Sequence, residues 1–145
     1  MAASPMISPT AAKAGLDAIA AKFNSLYINI YTGALESNCG TATSGTQLAA
    51  PQFGATAFGA STDGGSTGIM TATANAITSD ASADNTGTAG HFRCQASNGS
   101  GTVTGQGTCG TSSADMILNT TSISAGDTIA VTSFTITFPD GSGND

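Results

Sequence analysis

The sequence predicts a mainly β protein: an antiparallel β-sandwich or jelly-roll-like domain with a short N-terminal α-helix. Three observations carry this. One segment near the N-terminus spaces its apolar residues at helical period, and nearly everything after it alternates with period two. The alternating runs, seven or eight of them, are separated by short clusters of Gly, Ser, Thr, Asn and Asp. A chain of 145 residues is enough for one domain with its own core.

The elements follow in order. Residues 1–9, with Pro5 and Pro9, read as a flexible arm. Ser8 or Thr10 suits a helix N-cap, and Pro9 fits a first-turn position. The spacing predicts a helix over 10–24, with Leu16, Ile19, Ala20 and Phe23 on one stripe. Gly15 weakens it by about 1 kcal/mol, so the helix needs packing to persist.

From residue 26 the period changes. Leu26, Ile28 and Ile30 face one way, and Tyr27, Asn29 and Tyr31 the other. Residues 32–45 read as a loop. Residues 47–58 are strand-like, although Pro51 suits an edge. Residues 59–68 and 78–87 read as turn-rich loops flanking a Thr/Ala strand at 69–77. Strands at 88–95 and 102–108 enclose "ASNGSG", a hairpin signal. A short strand is expected at 114–118, a turn at 120–127 and the strongest strand at 128–138. Residues 10–138 thus form the domain, and 139–145 read as a flexible tail.

The last strand changes phase. Ile129 and Val131 are apolar on odd numbers, and Phe134, Ile136 and Phe138 on even ones. A β-bulge at Thr132–Ser133 would restore one apolar face, because a slip of one residue otherwise turns every side chain over. The expected core is Leu26, Ile28, Ile30, Phe92, Phe134, Ile136 and Phe138, with Ile117 or its neighbours Met116 and Leu118.

Composition excludes some partners. Charged residues are 8% of the chain, and the net charge is −6 with three Lys and Arg against nine Asp and Glu. A protein that neutralises phosphates needs cations, so neither nucleic acid nor an anionic membrane is an expected partner. No apolar run is long enough to span a bilayer. The opening "MAASPMISPT" has neither the basic nor the apolar region of a secretory signal. Three cysteines, an odd number, fit a reducing cytoplasm better than a disulfide framework.

The stretch "GTAGHFRCQASNGSGTVTGQGTCG" (87–110) gathers the residues that invite a chemical reading. It contains Gly105, Gly107 and Gly110 in a G-x-G-x-x-G pattern, but no long amphipathic helix follows to meet a phosphate. His91, Cys94, Cys109 and Cys39 are zinc-ligand types. In a regular strand, however, His91 and Cys94 point to opposite faces. The expectation is that Phe92 and Cys94 face the core while His91 and Arg93 lie on the outer face. A regular hairpin turning at Asn98–Gly99 sets Cys94 opposite Val103 and keeps it too far from Cys109 for a disulfide; Cys39, on a loop, could reach either. A Cys–His pair lacks an orienting third group. Asp80 and Asp84 read as solvated loop carboxylates. No catalytic, cofactor-binding or metal residue is therefore expected, and no cofactor.

Several phrases resemble a family. "LYINIYTG" (26–33) is similar to the strand-and-turn opening of a group of small virion structural proteins of tailed phages, in which an N-terminal helix precedes an L-x-I-Y-T-G strand. "PQFGATAFG", "ANAITSDASADNTGTAGHFR" and "TSSADMILNTTSISAGDTIAVTSFTIT" follow in that family's order, so the resemblance spans about residues 14–138. The chain departs from the pattern after the Y-T-G turn, where it has "ALESNCG" rather than Pro, and at His91, where an aromatic is usual. The resemblance implies a non-enzymatic capsid decoration or cement protein, made in the host cytoplasm and located on the virion surface. The implied partner is the major capsid protein, and a homo-oligomer, of which a trimer is one form, would bind it. The alternative is a receptor- or sugar-binding module of a tail or fibre, for which Tyr27 and Tyr31 are the aromatic candidates.

Overall fold

The computed structural model describes residues 5–64 and 68–140. One helix, α1 (Pro9–Ala21), precedes eleven strands: β1 (Tyr27–Thr32), β2 (Gln47–Ala49), β3 (Gln52–Phe53), β4 (Thr62–Asp63), β5 (Ile69–Thr73), β6 (Ile77–Thr78), β7 (Gly87–Ser97), β8 (Ser100–Gly110), β9 (Met116–Leu118), β10 (Ser122–Ile123) and β11 (Val131–Pro139). The protein is mainly β, sandwich-like, with a short N-terminal helix.

Ser8 caps α1, its Oγ accepting from the Ala11 N–H at 3.3 Å, with Pro9 in the first turn. The helix buries Ala12, Leu16 and Ala20, and Phe23 follows just beyond it. Ile19, expected on this stripe, is 43% exposed. The buried line runs 12, 16, 20, 23, so Ala12 rather than Ile19 completes the face against β5 and β11. The helix stops at Ala21, short of the expected 24, and Ser25, at φ 61°, turns the chain into β1.

The strands form one hydrogen-bonded path, β4-β5-β11-β9-β8-β7-β1-β3-β6, with β10 attached to β7 and β2 to β1. Every pairing is antiparallel except β8–β9, where Cys109 and Gly110 lie beside Met116 and Ile117 in parallel. The expectation of a purely antiparallel sheet therefore fails at this one junction. Asp115 holds the return between the two strands: its Oδ2 accepts from the Thr108 N–H and hydroxyl, each at 2.8 Å. The sheet curls back over itself. Phe134 on β11 meets Phe92 on β7 at 5.3 Å and Phe53 on β3 at 6.1 Å between ring centroids.

Five of the six phenylalanines (23, 53, 58, 92 and 134) join in one aromatic cluster inside this curl. Around it lie Ile28, Ile30, Met116, Leu118 and Ile129. Ile28, Ile30, Phe92 and Phe134 are buried as expected, and of the 116–118 trio Met116 and Leu118 take the core positions. Leu26, Ile136 and Phe138 are only partly buried at its margin. Past Phe134, β11 pairs with β5 near one end of the sheet path.

The bulge is present. Val131 pairs with Leu118 and Ser133 with Ile117, so Thr132 is the extra residue, and Phe134 then meets Met116. Four other segments differ from the sequence reading. Pro51 splits residues 47–58 into β2 and β3, whereas 69–77 divides into β5 and the start of β6. The 59–68 loop contributes β4, and the 120–127 turn contributes β10, whose Ile123 is buried. Of the expected arm, residues 1–4 lie outside the described residues, 5–8 are exposed, and Pro9 already belongs to α1. Of the expected tail, 141–145 lie outside them, Pro139 belongs to β11, and the Asp140 N–H donates to Gly68 O at 2.9 Å.

Candidate functional site

β1, β7 and β8 lie side by side, with Ile28 opposite Cys94, Asn29 opposite Arg93 and Ile30 opposite Phe92. Alternation sends Ile28, Ile30, Phe92 and Cys94 to the aromatic core. It sends Asn29, Tyr31, His91, Arg93 and Gln95 to the other face. That second face is also buried: Asn29 and His91 are 0% exposed and Arg93 3%. The expectation that His91 and Arg93 lie on an outer, solvated face is therefore corrected. The loop 33–46 and the hairpin tip 97–101 fold over them.

Hydrogen bonds fix this cover. Asn29 Nδ2 donates to Gln95 Oε1 (2.9 Å) and Ser97 O (3.1 Å), while its Oδ1 accepts from the Gly99 N–H (3.0 Å). Gln95 Nε2 donates to Gly101 O at 2.7 Å. The β7–β8 tip is thus tied down onto its own sheet, and Gln47 Nε2 adds a bond to Asn98 Oδ1. Gly99 and Gly101, at φ 74° and 103°, give the tip a backbone that L side chains resist. Two register shifts between Cys94 and Ser97 accompany it. They correct the regular-hairpin pairing: Cys94 lies opposite Gly105, and Gln95 opposite Val103.

The loop is held in the same way. His91 Nδ1 donates to Gly33 O (3.2 Å), so in the neutral ring Nε2 accepts from the Thr43 hydroxyl (3.4 Å). The His91 ring stacks on Tyr31 at 5.4 Å. Arg93 Nε donates to Gln106 Oε1 (3.1 Å), and its Nη2 to Asn38 O and Cys39 O (3.2 Å each). Gln106 Nε2 in turn donates to Glu36 O at 2.9 Å. Glu36 Oε1 accepts from the Ser44 N–H at 2.8 Å, and this bond first of all holds its carboxyl below the usual range.

Between loop and tip lies a pocket of about 550 Å³ lined by Tyr31, Cys39, Thr43, Arg93, Gln95 and Val103, among others. Burial pushes the Tyr31 phenol up, and the Arg93 charge opposes the shift. The phenol therefore keeps its proton at neutral pH and is a donor. Arg93 is the fixed positive charge of this pocket.

The remaining candidates separate. All three cysteines are free thiols, with Cys39 exposed and the other two buried. Burial pushes the Cys94 thiol up, with the neighbouring Cys39 adding to it, and raises Cys109 to about 12. Neither is a nucleophile in this state. Among the described residues no three of His, Cys, Asp and Glu converge as metal ligands would. The glycine pattern has a packing role: a Cβ at Gly105 would come within 2.9 Å of the Phe23 ring, and one at Gly107 within 2.8 Å of Phe92. Asp80 is no simple solvated carboxylate. Its Oδ2 accepts from the Ala50 N–H and its backbone bridges to Ile129. Tyr27 is half-buried and Tyr31 buried, so they offer no aromatic platform to solvent.

Sequence reasoning missed Asn29, Gln95 and Gln106 as site residues. The signal was present: His91, Arg93 and Gln95 recur every second residue, and Asn29 interrupts an apolar strand. Comparison with protein-family models, with curated proteins and with solved structures returns no match. No helix among the described residues is long and apolar enough to cross a membrane.

Proposed function

We propose that this chain is a non-enzymatic virion structural protein of a tailed phage, a decoration or cement protein that binds the major capsid protein on the assembled head. The observation that carries the reading is the ordered series of family-like phrases over residues 14–138. Two physical features support it. A chain with so few cations is suited to docking by shape and backbone pairing rather than by charge. From Ser100 to Gly107, β8 pairs with β7 on one side and with no described strand on the other, which leaves a long backbone edge for a partner strand. Repeated attachment across a shell would multiply a modest single contact, and anything that binds only the assembled shell stabilises it by mass action. Synthesis in the host cytoplasm and assembly as a homo-oligomer, a trimer in the simplest case, belong to the same reading.

The test is to image purified virions at subunit resolution and count copies. Hundreds of copies over the shell are expected. Density only at the tail tip would defeat the decoration reading and favour a receptor- or sugar-binding module.

A further inference from the structure

We propose that the pocket over β1, β7 and β8 binds a carboxylate group, received by Arg93 Nη1 and the Tyr31 hydroxyl. The inference is independent of the virion reading.

It begins with an inventory of the guanidinium. Arg93 has five N–H donors. Nε and Nη2 spend theirs on Gln106 Oε1, Asn38 O and Cys39 O. No described protein atom accepts from Nη1. That nitrogen still touches solvent, because it is not among the buried polar atoms without a partner. All three acceptors are neutral, and the one ion pair among the described residues is Lys13–Asp17, on the helix. Arg93, 3% exposed as a residue, thus stands at a pocket wall with no carboxylate in hydrogen-bond contact with its guanidinium. Such a charge is costly to bury and gains most from an opposite charge on its open side. Glu36, from the covering loop, feels the Arg93 charge but forms no ion pair with it; its Oε1 accepts from the Ser44 N–H and hydroxyl instead.

The second donor is Tyr31. Its hydroxyl lies 3.5 Å from Gln95 Oε1, beyond the usual O–H···O length, and Gln95 Oε1 already accepts from Asn29. The phenol proton is therefore available to a better acceptor. One cation and one phenol match a monoanion with two oxygens. A phosphate dianion would bring a second charge with no second cation, into a chain already at −6. The pocket, about 550 Å³, is larger than a carboxylate, so the body of the ligand rests against Val103 and Ala42. The carboxylate comes either from a small free acid or from a peptide's acidic side chain.

Titration of the ¹⁵N-labelled protein with sodium acetate, with N-acetyl-aspartyl amide, with sodium phosphate and with sodium chloride tests this. Saturable shifts are expected at the Arg93 side chain and at Thr43 and Val103 with either carboxylate and not with chloride. Tighter binding of the aspartyl amide identifies a peptide source, and equal binding a free acid. Tyr31→Phe, which keeps the ring stacked on His91, should weaken binding by about tenfold, and Arg93→Lys by at least as much. The same spectra report whether each variant keeps its fold. No saturable shift in the unmutated protein, tighter binding of inorganic phosphate than of acetate, or unchanged affinity in folded Tyr31→Phe overturns the proposal.

Discussion

The two faces of β1 and β7 are built from alternate residues of the same strands, and both are buried, yet they are held by different forces. Toward the core, Ile28, Ile30, Phe92 and Cys94 meet aromatic rings, and close fit carries the energy. On the other side, Asn29, His91, Arg93 and Gln95 meet a loop and a hairpin tip, and directed hydrogen bonds carry it. The lesson is that period-two alternation tells which residues share a face, but not whether water reaches that face.

Four measurements break or sharpen this contrast. The largest effect is expected from the core. Phe134→Ala removes a ring in contact with Phe53, Phe58 and Phe92 and should cost about 3–5 kcal/mol, read as a lower denaturant midpoint. An unchanged midpoint would mean that close fit does not dominate there. The polar face comes next. Asn29→Ala leaves the Gly99 N–H and Gln95 Oε1 short of partners and should cost about 1–3 kcal/mol. A loss equal to that of Phe134→Ala would erase the distinction.

The thiols probe both faces without a mutation. Cys39 should react with a thiol reagent in the native protein, and Cys94 and Cys109 only after denaturation. Fast reaction of all three would show that the core face is open. The smallest effect belongs to a part-buried polar contact on the helix. Asp17 accepts from the Ser61 hydroxyl (2.6 Å) and N–H (2.8 Å), and these bonds, with help from Lys13, lower its pKa from 3.8 to about 2. The folded value lies below the unfolded one, so its contribution is complete above 3.8 and is lost as pH falls toward 2. Asp17→Asn should lower stability modestly at neutral pH, where that contribution is complete, and flatten the curve between 3.8 and 2, the two proteins converging below 2. A large neutral-pH loss would place these bonds on a par with those under the loop.

Much of the fold was legible because its signals are local. The Ser8–Pro9 helix start, the β1 alternation, the "ASNGSG" hairpin and the Thr132 bulge are each set by neighbouring residues. What escaped was decided at a distance. Nothing local in residues 32–45 says that this loop lies on β7 rather than in solvent, so His91 and Arg93 read as exposed. The parallel junction of β8 and β9 depends on Asp115 reaching back to Thr108, and the Ile19–Ala12 exchange depends on where β5 and β11 lie. The pocket was invisible for the same reason: its wall is half strand and half loop.

The loop over the polar face is gripped mostly by its main chain. His91 reaches Gly33 O, Gln106 reaches Glu36 O, and Arg93 reaches Asn38 O and Cys39 O. A carbonyl is the same whatever side chain hangs beside it. Ala34 and Leu35, both exposed, are therefore free to drift, while Asn29, His91, Arg93 and Gln106 beneath them are not. A saturation-mutagenesis map should show a permissive loop lying directly over an intolerant strand, a surface that can change its outward identity without loosening its hold.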